Sequence, residues 1–236
     1  SDETEMSQLQ EFSEDQNPPV AVDDDLGARA GTATTLPILI NDVDIDGDVL
    51  TAVIKDAPSD VTVVPAKDGR AVRVEVPENK SGSFEFTYQA YDGEDLSNVA
   101  TVTVDVVQAQ TNRPPEYVRR NMVHLAERST VEYAVLPDWV DPDGDPMFLE
   151  NAVGDDGIPV TWRPDGHISV RDLGTHGPGR RTVTVVVSDG EESTTEEIVV
   201  QVTPGASNQP PVANFDHYVA NVGETITLTP LANDTD

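Results

Sequence analysis

Apolar and polar residues alternate with a period of two along much of the chain. Val72-Arg73-Val74-Glu75-Val76 alternates residue by residue, as do Phe84-Glu85-Phe86-Thr87-Tyr88 and the Thr-Val run from Val99 to Val107. Thr182-Val183-Thr184-Val185-Val186-Val187 and the segment from Ile198 to Val202 continue the pattern. Successive side chains on a pleated strand point to opposite faces, so this period predicts half-buried strands. No stretch of 10 residues carries the 3.6-residue stripe of an amphipathic helix. Gly, Pro, Asp and Asn interrupt the runs every 8 to 12 residues, as turns between short strands require. Seven strands are predicted in the first part, near 20–30, 33–40, 49–55, 60–65, 70–76, 83–91 and 98–107.

The same order of marks then returns. Asn17-Pro18-Pro19-Val20-Ala21 recurs as Asn112-Arg113-Pro114-Pro115 and as Asn208-Gln209-Pro210-Pro211-Val212-Ala213. Asp44-Ile45-Asp46-Gly47-Asp48 recurs 97 residues on as Asp141-Pro142-Asp143-Gly144-Asp145, and Asp92-Gly93-Glu94 as Asp189-Gly190-Glu191. Asn41-Asp42-Val43-Asp44 returns as Asn233-Asp234-Thr235-Asp236. Such periodicity marks tandem units. Seven short strands per unit predict an all-β fold of tandem two-sheet sandwiches of the immunoglobulin type. Residues 17–110 form the first expected repeat, 111–207 the second and 208–236 a truncated third, which cannot build a core alone. Residues 1–16, acidic and polar, read as a disordered linker or the frayed end of a preceding module. The chain looks cut from a longer array.

Charge sharpens this picture. Among 236 residues, 44 are acidic and 14 basic, giving a formal charge of −30. Nucleic acid and anionic membranes would repel such a chain, whereas cations suit it. No run of 18 apolar residues exists to span a membrane, and the chain has no cysteine, so disulfides and thiolate metal sites are excluded. The acids cluster in turns. Asp42, Asp44, Asp46 and Asp48 fall within seven residues between the second and third predicted strands, and Asp92 lies in the turn before the last. Asp138, Asp141, Asp143, Asp145 and Asp189 occupy the matching places in the second copy.

In an immunoglobulin-type sandwich those two loops meet at one end, near the junction with the preceding unit. Converging carboxylates repel, at about 4 kcal/mol for unit charges ~4 Å apart at an effective dielectric of 20. Calcium, which takes six to eight oxygens in flexible geometry, removes that cost better than magnesium. Two calcium sites are therefore expected, one from Asp42, Asp44, Asp46, Asp48 and Asp92, the other from Asp138, Asp141, Asp143, Asp145 and Asp189. The alternative is that these acids only cap turns and stay solvated. A helical calcium hand is rejected, because the twelfth position of its motif is Val53, inside a predicted strand. Asp23, Asp24 and Asp25 form a weaker group, since Arg119, Arg120 and Asn121 stand at the same offset in the second copy.

With these residues assembled, the repeats resemble the bacterial immunoglobulin-like and cadherin-like domains of large surface adhesins. The shared marks are the N-P-P or N-x-P-P opening, the loop from Asn41 to Leu50, and the pattern from Phe86 to Gly93 before a Thr-Val strand. The resemblance implies an extracellular or cell-surface array in bacteria, stiffened by calcium and serving as a stalk or adhesive segment. Its implied partners are neighbouring repeats of the same chain, together with a cell-surface glycan or protein ligand. The second copy departs from the pattern with Pro137-Asp138-Trp139-Val140 in place of Asn41-Asp42-Val43.

A competing class is a carbohydrate- or protein-binding module, accessory to a larger secreted enzyme. Trp139, Trp162, Tyr117, Tyr133 and the arginine pairs 119/120 and 180/181 are its candidates, although a strand tryptophan is more often core. An enzyme is not expected. His124, His167, His176 and His217 make no metal-ligand spacing, and no nucleophile elbow or phosphate-cradling loop is present.

Overall fold

The computed structural model of the chain describes residues 17–205 apart from 67, 109, 110 and 156. The expected linker 1–16 and the partial third copy lie outside the described residues. Two sheet pairs account for the rest. In the first, β1 (Asp24–Arg29), β7 (Ala100–Val107), β6 (Gly82–Tyr91) and β3 (Thr51–Asp56) form one sheet in that order. β2 (Ala33–Leu36), β5 (Val72–Glu75) and β4 (Thr62–Pro65) form the other. The period-two runs are the reason: Phe84, Phe86, Tyr88 and Ala90 of β6 and Val102, Val104 and Val106 of β7 all point inward. Arg73 and Glu75 alternate outward from β5.

The second pair repeats the plan. β8 is Glu116–Tyr117, β9 Met122–Ala126, β10 Thr130–Ala134 and β11 Trp139–Val140. β12 (Phe148–Gly154), β15 (Gly179–Ser188), β16 (Ser193–Thr203) and β9 make one sheet. β10, β14 (His167–Arg171) and β13 (Val160–Trp162) make the other, and β11 pairs with β8. A 3₁₀ turn, Leu136–Asp138, is carried by Pro137 at its start. The first predicted strand is shorter than its apolar pattern. Val20 only bridges Val43, and the ladder begins at Asp24, where β1 runs parallel to β7. β9 runs parallel to β16 in the same way.

Each sheet pair encloses its own hydrophobic cluster. One residue crosses over: Val140, from β11, packs in the cluster of the first sandwich. Full burial of a valine is worth about 1.5–3 kcal/mol, so the second sandwich contributes to the core of the first.

Trp139 beside it is only 1% exposed and stacks on Tyr117, ring centroids 5.1 Å apart, in the second core. Trp162 stands 36% exposed. Iodide should therefore quench only part of the tryptophan emission, and Trp162→Phe should leave emission that iodide barely reaches. Equal quenching of both would contradict this packing.

Candidate functional site

The acidic loops take their shape from one carboxylate each. Asp44 Oδ1 accepts the backbone N–H groups of Asp46 (2.9 Å) and Asp48 (3.0 Å). Asp141 Oδ1 does the same for Asp143 (2.9 Å) and Asp145 (3.0 Å). The glycines Gly47 and Gly144 have φ +84 and +78, a left-handed backbone that tightens each loop. The turns after β6 and β15 follow one design as well. Asp92 Oδ1 accepts from Glu94 and Asp95, and Asp189 Oδ1 from Glu191 and Glu192, each at 2.7 Å. Thr51 lies opposite Tyr91 in the β3–β6 ladder, so loop and turn leave the sheet at the same end of the strands. Asp44, Asp92 and Asp141 each keep a buried Oδ2 without a hydrogen-bond partner.

The two loops differ in their cations. Asp141, Asp143 and Asp145 converge, with one oxygen from each lying within 4.8 Å of the others. Two arginines hold them. Arg29, at the end of β1, grips Asp145 with Nε (2.5 Å to Oδ1) and with Nη2 on Oδ2. Arg113 donates its backbone N–H to Asp143 Oδ2 (2.6 Å), Nε to Oδ1 (2.7 Å) and Nη2 to the Pro142 carbonyl (2.6 Å). The Asp143 side chain is fully buried. In the first loop Asn17 takes the place of Arg113, and its backbone N–H donates to Asp46 Oδ2 at 2.7 Å.

Asp42 and Asp138 face tyrosines. The Tyr88 hydroxyl lies 3.0 Å from both Asp42 oxygens, 3.2 Å from Asp24 Oδ2 and 2.8 Å from the Ile38 carbonyl. Burial, with Asp42 beside it, pushes the Asp24 carboxyl up to about 8. Burial also raises Asp42. In the second sandwich Tyr133 donates to Asp138 Oδ2, and Asn121, the counterpart of Asp24, donates Nδ2 to Oδ1 at 2.9 Å. Asp138 is raised by burial.

Residues 16–105 match the family profile described as the bacterial Ig domain. The first sandwich is thus similar to a bacterial Ig domain over most of its length. No curated protein matches the chain. Among solved structures it is similar to an endo-fucoidan hydrolase of glycoside hydrolase family 107, at 20% identity and TM-score 0.32, over 81% of this chain and 29% of that one. The chain thus spans under a third of the hydrolase. Drosophila N-cadherin matches at 11% identity and TM-score 0.37, over 80% of this chain and 68% of that one. The N-terminal Ig1-2 module of the Drosophila receptor protein tyrosine phosphatase DLAR matches at 11% identity and TM-score 0.27, over 79% and 100%.

Of the expected ligands, the first sandwich holds Asp44, Asp46 and Asp48 in one loop with Asp92 at the same end of the sheet, and turns Asp42 inward. The second sandwich gathers Asp141, Asp143 and Asp145. Asp189 is near enough to raise the Asp141 carboxyl further, behind burial as the main cause, and its Oδ2 is taken by Asn112 Nδ2 at 2.9 Å. Asp138 stands apart on Tyr133. As donors for calcium the two loops are unequal. In the second, four carboxylate oxygens are occupied by arginine donors and Asp141 Oδ1 by backbone, which leaves Asp141 Oδ2 alone. That set does not fit calcium as arranged. In the first loop the neutral Asn17 stands in place of Arg113 and occupies Asp46 through its backbone N–H and Nδ2, while Asp44 and Asp92 each keep one buried oxygen unpartnered.

The residues that sequence reasoning missed are arginines. Arg113 sits in the repeated proline opening, and only its difference from Asn17-Pro18 in the first copy marked it. Arg29 carried no signal. Arg119, a glycan-binding candidate by sequence, instead donates Nε and Nη2 to the Ile40 carbonyl of the first sandwich at 3.1 and 2.5 Å. Two more of the glycan candidates are engaged: Arg120 pairs with Glu196, and Arg181 donates to the His176 and Gly177 carbonyls, whereas Trp162 stays part-exposed.

Proposed function

We propose that the chain is a non-enzymatic extracellular spacer, a run of Ig repeats from a bacterial surface adhesin or stalk protein, with repeats at 17–110 and 111–207. The observation that carries this reading is the joint. Val140 of the second sandwich packs into the core of the first, so the two repeats are held in one direction relative to each other. A fixed direction is what a spacer supplies and a free binding module does not need. Two of the histidines have local partners, His167 facing Asp165 and His176 facing Thr175.

Calcium binds the first acidic loop through Asp44, Asp46, Asp48 and Asp92. The buried, unpartnered oxygens of Asp44 and Asp92 support this, because leaving a buried charged oxygen unpaired is costly unless a cation meets it. A bound ion would supply positive charge there; the chain holds the carboxylates in place through the backbone N–H groups already described.

Calorimetry on the full chain should register one calcium in the first loop, with Kd about 10⁻⁴–10⁻³ M, as for extracellular modules. Asp92→Asn should weaken it at least ~10-fold by removing one charged ligand, while Asp138→Asn should leave it unchanged. Binding that survives Asp44→Asn together with Asp92→Asn would remove calcium from the first loop.

A further inference from the structure

We infer that the joint between the two sandwiches is closed by guanidinium groups in place of a metal, so that the second acidic loop takes no calcium. Arg29 is the centre of the joint. Besides Asp145, its Nη1 donates to the Gln108 carbonyl (3.1 Å) and the Thr111 carbonyl (2.9 Å), and Nη2 to Asn112 Oδ1 (3.2 Å). A guanidinium has five N–H donors, and here each has an acceptor. One side chain from the first sandwich thereby ties together the linker and the second acidic loop. Both partners are largely sheltered, each with 18% of its side chain exposed. Arg113 adds a second positive charge from the linker itself, directly on Asp143.

Charge and space agree. Three carboxylates meet two fixed cations, which is the neutralisation a divalent ion would bring. Calcium needs six or more oxygens, and it would have to displace both forks to reach them. The backbones are also too close for a wider coordination shell. A Cβ on Gly27 would lie 2.0 Å from the Pro142 carbonyl oxygen, and one on Gly144 would lie 2.6 Å from the Gly27 carbonyl oxygen. The convergence of Asp141, Asp143 and Asp145 is then a product of the arginines and needs no ion to explain it. Calcium at the first loop is not required for any of this, and the measurement separates the two.

The chain has no cysteine, so Glu85→Cys on β6 and Val153→Cys on β12, both exposed, give one spin-label pair across the joint in the full chain. The distance distribution should be narrow and identical in calcium and in chelator. Arg29→Gln with Arg113→Gln should broaden it in chelator. Added calcium should then narrow it again, and the calorimetric stoichiometry should rise by one over the parent chain whatever the first loop binds. Arg113→Gln alone, at a side chain 49% exposed, should broaden it partially and guards against a variant that fails to fold. Broadening of the parent distribution by chelator would overturn the inference. So would a double variant that stays narrow in chelator, or parent calcium binding that Asp141→Asn abolishes.

Discussion

Tyr88→Phe should destabilise the first sandwich by about 2–4 kcal/mol at pH 8, because it removes a hydrogen from a place crowded with acceptors. Two carbonyls and two carboxylates surround the Tyr88 oxygen, including the Val22 carbonyl at 3.2 Å. One hydroxyl brings one proton. A second must come from Asp24, which is why its carboxyl sits as high as about 8. A raised folded pKa gives stability that is complete below the unfolded value near 4 and is lost as pH rises through about 8. The first sandwich should accordingly be less stable at pH 9 than at pH 6, and the Tyr88→Phe loss should shrink as pH falls. Asp24→Asn should flatten the pH dependence and stabilise the native sandwich by about 1–3 kcal/mol at pH 8, since amide N–H then replaces the borrowed proton. The second sandwich already uses this arrangement, with Asn121 donating to Asp138. Hydrogen exchange of β6 and β7 amides measured between pH 6 and 9 reads the first sandwich alone. A pH-independent stability, or a Tyr88→Phe variant as stable as its parent, would refute the shared-proton account.

Gly27→Val should pull the sandwiches apart. Gly27 lies within β1 opposite Asp105, so any residue could adopt its backbone. What demands glycine is the Pro142 carbonyl at 2.0 Å from the missing Cβ, a backbone atom that no rotamer change can move. With the loop displaced, Val140 leaves the first core at a cost of about 1.5–3 kcal/mol, and Arg29 loses Asp145. The maximum dimension seen by X-ray scattering should grow, and the first sandwich should unfold earlier while β9 to β16 keep their stability. Gly31→Ala is the contrast, at φ +77 but with nothing nearer than 3.5 Å, and it should cost only local backbone strain. A Gly27→Val chain with unchanged dimensions would mean that the joint is not built on this approach.

Much of the fold was legible because alternation is a local property. Phe84, Phe86, Tyr88 and Ala90 of β6, and Val102 and Val104 of β7, face inward by their period alone, whatever lies across from them. The acidic loops were legible for the same reason, since Asp-x-Asp-Gly-Asp forms its turn from its own backbone. Other features were not local. Asp42 and Asp138 belong to the loops by sequence, yet a tyrosine draws each inward, Tyr88 from β6 in one sandwich and Tyr133 from β10 in the other. Val43 and Val140 occupy matching positions, but the first is 57% exposed and the second 9%, because only the second meets a neighbouring sandwich.

The sequence by itself determined that the chain is all-β, that its strands repeat with a period near 97, and that its acids gather in turns. Only the tertiary structure decided which positive charge answers those acids. Arg29 and Asp145 stand 116 residues apart, and their meeting depends on how two sandwiches pack, a choice that no period of two or spacing of aspartates encodes.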